Sequence, residues 1–555
     1  MGLIRSLGVI ALMLLLSFTS AHAGEAKFDW FQYEGRSHEG VATKIGDGQF
    51  INPVISGYSP DPSIERVGDD YYLVTSSFVH FPGLPVYHSR DLVTWRQIGN
   101  AIDRPSQLEF NGMKVSAGLM APAISYRDGL FYIVCTNRKS FVVTARNPAG
   151  PWSDPSFFEF EGIDPSLFWD EDGRAWIVNN GAPKGPTLYK GHRSIWLQEF
   201  DPRTRVMVGP RTEIINGGAD LSKKPFWTEA PHVYRKDGYY YLIAAQGGTG
   251  DQHSEVVFRS RALAGPYEGY EGNPILTQRD LPDGRAFPVG TAGHADFVQT
   301  QDGSWWSVFL ATRNYGPDLY NIGRETFLLP VTWKDGWPHI LEQGKAVPYV
   351  LNRPALPVDD RPRQPLAGDY SYTEEFDAEK LGFGWMSVRI PASPRYSLQR
   401  GELILRGTDA IGDVRGVPSF IGRKQAHAVA TVSTVLRFEP REERDRAGLV
   451  AMQSDDAYLF LGVQLERGKR VVVLSARRTA QDPQRGTLIS SALLDELDVN
   501  KPLYLRLSID GGVLSAAFAR KDGDWVSLAT SVNATFLSTK KAGGFVGTVL
   551  GLYAE

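Results

Sequence analysis

The sequence predicts an all-β protein, a five-bladed β-propeller followed by a β-sandwich. Three observations predict it. A strand–turn–strand unit returns five times from Asp61 onward. The composition, with 57 Gly, 35 Pro, 13 Trp, 23 Tyr and 28 Phe in 555 residues, suits short strands and tight turns better than long helices. After Trp337-Pro338 the unit stops, yet alternating apolar stretches continue, so a second β domain of another kind is expected. The length itself is that of two to four domains.

Residues 1–23 read as a secretory signal. Arg5 supplies the positive start, Leu7 to Phe18 the apolar run, and Ala21-His22-Ala23 a small-x-small cleavage site. That run falls short of the ~20 apolar residues that span a bilayer. The chain is therefore expected to be exported, periplasmic or extracellular according to the organism, with no membrane partner. Residues 24–47 carry no motif and are expected as an N-terminal lead-in, mobile or packed on a domain edge.

The propeller is expected over 48–347. Its units open DPSIERVGDDYYLV at Asp61, APAISYRDGLFYIV at Ala121, DPSLFWDEDGRAWIV at Asp164, APHVYRKDGYYYLI at Ala230 and ADFVQTQDGSWWSV at Ala295, with starts 60, 43, 66 and 65 residues apart. Each pairs a strand with an aromatic second strand across a Gly-Asp or Asp-Gly turn, the residues that supply the positive φ of short hairpins. The stretches VYHSRDLVTW, VVTARNPAGPW and VFRSRALAGPY repeat the outer half of the unit. Four strands per unit arranged radially leave only short edges unpaired. Cys135, the one cysteine, lies in the second unit's aromatic strand and is expected as a buried apolar residue. With no internal disulfide, a large core must hold the fold.

Residues 348–368 hold Pro348, Pro354, Pro357, Pro362 and Pro365 and are expected as a stiff extended linker. The sandwich follows over 369–555, with strands such as HAVATVSTVLRF, YLFLGVQL, KRVVVLS and PLYLRLSI.

Composition excludes several functions. Lys+Arg at 59 against Asp+Glu at 63 gives a net charge of −4, without the basic excess that nucleic acid binding needs. Hydrophobic residues at 42% and charged residues at 22% exclude wholesale disorder. A single cysteine excludes a cysteine-type zinc site. The chain has no phosphate-binding Gly-rich loop ending in Lys-Ser or Lys-Thr, no His-Glu-x-x-His and no Gly-x-Ser-x-Gly.

The repeat openings point to chemistry instead. In a propeller the first strand of each blade lies nearest the axis, so the openings converge. Two of them carry Asp, at 61 and 164, and Glu229 sits one place before the fourth; Met120 and His294 hold that place before the second and fifth. Singly, Asp-Pro reads as a turn. One step turns a side chain to the other face of a regular strand, although a strand's first residues escape that rule, so Glu229 stays open between the two faces. Three carboxylates near one axis would repel and require desolvation, which structure alone gives no reason to accept. A pair of carboxyls, one ionised to activate water and one protonated to protect a leaving oxygen, is the equipment of glycoside hydrolysis, and a third raises the acid's pKa. Phe78, Trp227, Trp305 and Trp306 are candidates to stack on sugar faces, with a core role as the commoner use of each tryptophan. Asp170, Glu171 and Asp172 read as a solvated loop.

With SPDPSI, YHSRDLVTW, GIDPSLF, TEAPHVY, GGTGDQHSE, GHADFV and GRETFLLPVTWKDGWP in this order, the chain resembles glycoside hydrolase family 43, of the β-xylosidase and α-L-arabinofuranosidase kind, over roughly residues 50–555. The resemblance implies Asp61 as general base, Glu229 as general acid and Asp164 as the residue that tunes the acid and orients substrate. It implies Phe78, Met120, His294 and Arg324 at the terminal sugar, and a jelly-roll or concanavalin-like form for the sandwich. It also implies inversion, with the two carboxyls about 6.5–9.5 Å apart. No cofactor is required by it, while a cation such as calcium is accommodated in the propeller channel near His294. The substrate so implied is an oligosaccharide from xylan or arabinoxylan, cut from its end. An arabinan hydrolase on the same scaffold and a non-catalytic carbohydrate-binding propeller are the alternatives. Two departures stand out: Met120-Ala121-Pro122 replaces a Trp-Ala-Pro of some β-xylosidases, and the sandwich ends at GLYAE, where relatives often continue into another strand.

Overall fold

The computed structural model describes residues 24–38, 45–282, 284–359, 365–494 and 501–555. The expected signal, residues 1–23, lies outside them. Apart from one four-residue α-helix and two 3-10 turns, the regular structure among the described residues is β. No helix among the described residues is long and apolar enough to cross a membrane.

Five antiparallel sheets, each of at least four strands, follow one another along the chain. Their first strands are Ser63–Val67, Met120–Arg127, Ile163–Trp169, Glu229–Lys236 and Val289–Gln299, and these touch in a closed cycle. The Asp-Gly signals act as the sequence predicts: Asp128-Gly129 and Asp237-Gly238 join paired strands with φ of 50°, 80°, 50° and 74°. In the expected solvated loop Glu171 and Asp172 are exposed, and Asp170 alone departs from expectation. Asp170 is buried and accepts a hydrogen bond from the Tyr240 hydroxyl at 3.0 Å, because that aromatic strand of the next sheet covers it.

The first sheet meets the fifth through a lapped segment. Gln49–Ile51 pairs with Val350–Asn352, and the Asn52 side chain both donates to Leu328 O and accepts from Leu328 N, at 2.9 Å each. Residues 348–368 are thus more than the expected linker. Arg353 pairs with buried Asp91 at 2.7 Å, and Leu356 joins the apolar cluster of Tyr71, Trp95 and Trp306. Apolar side chains at 350, 351 and 356 outweigh the stiffness of the prolines.

The sandwich stacks an eight-stranded sheet on a six-stranded one. Residues 24–47, expected as a lead-in, instead supply a strand. Glu25–Arg36 lies inside the larger sheet between Glu402–Arg406 and Val429–Arg437, with a bulge between Phe28 and Phe31. Its buried Ala26, Phe28, Phe31 and Tyr33 explain the placement. The terminal strand Val549–Ala554 also lies inside its sheet, between Ser419–Lys424 and Arg446–Ser454.

One apolar cluster crosses from the five-sheet body into the sandwich. Val79, Leu119, Ile133 and buried Cys135 pack with Val388, Phe420, Phe460 and Tyr553. Burying a large apolar side chain stabilises by about 1.5–3 kcal/mol, so this shared core fixes the sandwich as a wall against the body.

Candidate active site

The first strands of the second, third, fourth and fifth sheets share one irregularity near their start. Two residues on the strand oppose one on its neighbour, as in Asp164 and Pro165 against Asn179, and Ala230 and Pro231 against Ala244. A left-handed residue sits in these bulges, Ala121 (φ 44°), Asp164 (53°), Ala230 (50°) and His294 (55°), and Asp61 (55°) takes the same conformation two residues ahead of the first sheet's strand. A left-handed non-glycine residue costs roughly 1–2 kcal/mol, and five held in one ring mark a place over-determined by its surroundings. The bulge breaks strand alternation, so Asp164 and Glu229, offset by one place in the repeat, line the same cavity. His294 aligns with Asp61 and Asp164 here, one place from its position in the sequence repeat. Pro62, Pro122, Pro165 and Pro231 follow the left-handed residue in four sheets, whereas Ala295 follows it in the fifth.

The cavity, about 390 Å³, is lined by Asp61, Phe78, Met120, Asp164, Glu229, His294 and Arg324. The seven residues that the resemblance implies as catalytic or at the terminal sugar thus meet in one place. Trp227 lines it too, with the Arg193 guanidinium 5.0 Å from its ring. Trp305 and Trp306 do not line it. Trp306 packs in the core beside Phe50, and Trp305 edges onto Trp333 at 5.6 Å. Phe226, from a loop without a motif, and Thr249 of GGTGDQHSE complete the rim, together with Phe545 of the sandwich.

Asp61 is 5% exposed and held at both oxygens. Oδ1 accepts from Arg324 Nη1 at 3.1 Å and faces His294 Nδ1 at 3.6 Å; Oδ2 accepts from the Ser76 hydroxyl at 2.5 Å. Burial pushes this carboxyl up, but the Arg324 charge and the Ser76 bond outweigh it and hold Asp61 below the usual range. Glu229 goes the other way. Burial, then the neighbouring charge of Asp164, raise it well above an ordinary carboxyl. Asp164, raised mainly by burial and secondly by Asp61, shares a hydrogen bond with the Glu229 side chain. Burial lowers the His294 imidazole to about 3 and its neighbour His253 to about 4, so both rings are neutral near pH 7. The expected channel cation finds no fit: among the described residues no group of three or more His, Cys, Asp or Glu side chains is placed to hold a metal ion.

A carboxyl held below the usual range and one held above it, facing a single sugar-sized cavity, are the equipment of a glycoside hydrolase. The comparisons agree. The pattern of glycosyl hydrolases family 43 matches residues 50–338, and that of the beta xylosidase C-terminal concanavalin A-like domain matches residues 373–555. A non-reducing end alpha-L-arabinofuranosidase of Bacteroides ovatus is 38% identical over 91% of this chain and 91% of its own. A xylosidase/arabinosidase of Butyrivibrio fibrisolvens is 36% identical over 91% of this chain and 95% of its own. The solved xylan beta-1,4-xylosidase of Bacillus halodurans superposes with a TM-score of 0.82 at 33% identity, covering 91% of this chain and 96% of that one. The chain belongs to glycoside hydrolase family 43.

Proposed function

We propose that the protein is an inverting, exo-acting glycoside hydrolase that releases a terminal pentose, xylose or arabinose, from oligosaccharides of xylan or arabinoxylan. The observation that carries this reading is the opposite protonation bias of Asp61 and Glu229 in one cavity. Asp61, ionised, takes a proton from the attacking water as its oxygen bonds to the anomeric carbon. Glu229, protonated, gives its proton to the glycosidic oxygen as that bond breaks. Asp164 keeps the proton on Glu229 through its buried neighbouring charge. A single displacement of this kind needs room for water between the carboxyls, about 6.5–9.5 Å. Phe78 and Met120 wall the terminal sugar, and His294 and Arg324 hold Asp61 and meet sugar hydroxyls.

The names of the similar proteins, which span β-xylosidase and α-L-arabinofuranosidase, support the pentose. The wall that the sandwich adds through Phe545 supports exo action over an open cleft. The five sheets, with first strands in a closed cycle, support a five-bladed propeller over 48–347, followed by the sandwich over 369–555. The leader over 1–23, which would export the chain, is supported by its sequence alone, the apolar run Leu7 to Phe18 and Ala21-His22-Ala23.

The test is release of 4-nitrophenol from the β-D-xylopyranoside and the α-L-arabinofuranoside side by side, with Asp61→Asn as blank and NMR of the first-formed anomer. Turnover of either with an inverted product supports the reading. No turnover of either, or a retained product, overturns it.

A further inference from the structure

Ser76 lies two residues past Asp70–Val74, the strand that pairs with Ser63–Val67 just after Asp61, and its side chain is fully buried. Its backbone N–H donates to Pro60 O at 3.0 Å, fixing it one residue from Asp61. Its hydroxyl accepts a hydrogen bond from the backbone N–H of Ala121 at 2.7 Å. A hydroxyl has one proton to give. Asp61 Oδ2, 2.5 Å away, is where it goes. Ala121 is the left-handed residue of the second sheet and follows Met120 of the cavity wall. One hydroxyl thus ties Asp61 to the wall contributed by the neighbouring sheet, while Arg324 holds the other carboxylate oxygen.

We propose that Ser76 is a positioning residue for the hydrolytic base: its hydroxyl, oriented by the Ala121 N–H, fixes the plane of the Asp61 carboxylate and keeps it ionised. The inference rests on the reading of Asp61 as base. Ser76 lies outside the cavity lining, so it acts through Asp61 and not on the sugar.

The experiment compares Ser76→Ala, Ser76→Thr and Asp61→Asn on 4-nitrophenyl β-D-xylopyranoside, or on the arabinofuranoside if that is the better substrate, across pH. A hydrogen bond to a charged group is worth enough that Ser76→Ala is expected to lose roughly tenfold to a hundredfold in kcat. KM should stay within about twofold, because the sugar contacts are untouched. The acid limb of kcat/KM should move to higher pH, and Ser76→Thr, which keeps the hydroxyl, should recover most of both. An unmoved acid limb with normal kcat in Ser76→Ala, beside an inactive Asp61→Asn, overturns the positioning role and leaves the base in place. A loss confined to KM overturns it as well. Full turnover by Asp61→Asn removes the base reading itself. Should Ser76→Ala fail to fold, Ser76→Cys, similar in size with a weaker donor, carries the same comparison.

Discussion

Phe78 of the five-sheet body and Phe545 of the sandwich stack on each other in the cavity wall, ring centroids 6.2 Å apart and planes 17° from parallel. Phe545 has its backbone pinned from both sides: its N–H donates to Ser116 Oγ at 2.9 Å, and its carbonyl accepts from Arg324 Nη2 at 3.4 Å. The sandwich therefore contributes a placed ring to the site.

Phe545→Ala should remove that ring and little else. Taking a ring's contact with a sugar face as comparable to an aromatic contact, about 0.5–1.5 kcal/mol, KM for a pentose disaccharide should rise about two- to twelvefold, with kcat within twofold. The ring is 38% exposed, so the melting temperature should hardly change. Steady-state kinetics with a thermal melt checks both; an unchanged KM would remove Phe545 from the substrate path.

The pH profile of kcat/KM should be bell-shaped, with limbs set by opposite shifts. Asp61 must be ionised and lies below 3.8, so the acid limb should fall at a pH lower than an ordinary aspartate gives. Glu229 must be protonated and lies well above 4.5, so the alkaline limb reports the Glu229–Asp164 pair as one apparent value. Glu229→Gln should lose about 10²- to 10⁴-fold on a disaccharide, and less on a nitrophenyl glycoside, whose leaving group needs less help. Near-normal disaccharide turnover would end the assignment of Glu229 as acid.

The same substitution should change stability in a pH-dependent way. Glu229 binds its proton more tightly folded than unfolded, so its contribution is full below the unfolded value of 4.5 and is lost as pH rises through the folded one. Gln carries no such loss. Glu229→Gln should match the parent near pH 4 and melt higher at pH 7 to 8, by about 1.4 kcal/mol for each tenfold change in proton affinity. Parallel melting curves across pH would contradict the raised carboxyl.

How much of this was legible in the sequence follows from where local chemistry leaves a mark. Asp61 and Asp164 announce themselves because Pro62 and Pro165 follow them in a repeat. His294 was aligned one place out because Ala295 replaces that proline, and only the bulge restores its match to Asp61. Glu229's direction was unreadable for the same reason: alternation fails where a left-handed residue interrupts the strand. The strand Glu25–Arg36 had a signal in Ala26, Phe28, Phe31 and Tyr33, but its bulge breaks the period and its partners lie hundreds of residues away. Phe545, in a Gly-rich loop, has no local mark. Its role arises from packing between domains.

The last prediction concerns what holds the body against the sandwich. Arg389 and Asp455, 0% and 2% exposed, form an ion pair behind the cavity. Arg389 Nε donates to Met113 O at 3.1 Å, and Asp455 Oδ2 accepts from Val115 N at 2.9 Å. Together they grip the segment that runs to Leu119, the backbone partner of Phe78. Burial works against both charges, raising Asp455 and lowering Arg389, so neither is comfortable alone. Asp455→Ala should therefore cost about 3–5 kcal/mol, because it leaves a buried guanidinium unpaired. The double change Arg389→Met with Asp455→Leu should recover most of that stability, since a buried pair often exchanges for apolar side chains at little cost. It should not recover function, because Met113 O and Val115 N lose their partners and the support behind Phe78 loosens. Urea denaturation of both variants gives the stability, and KM for a disaccharide reads the support. A double variant that is stable with an unchanged KM would confine the pair to folding and release Phe78 from its influence.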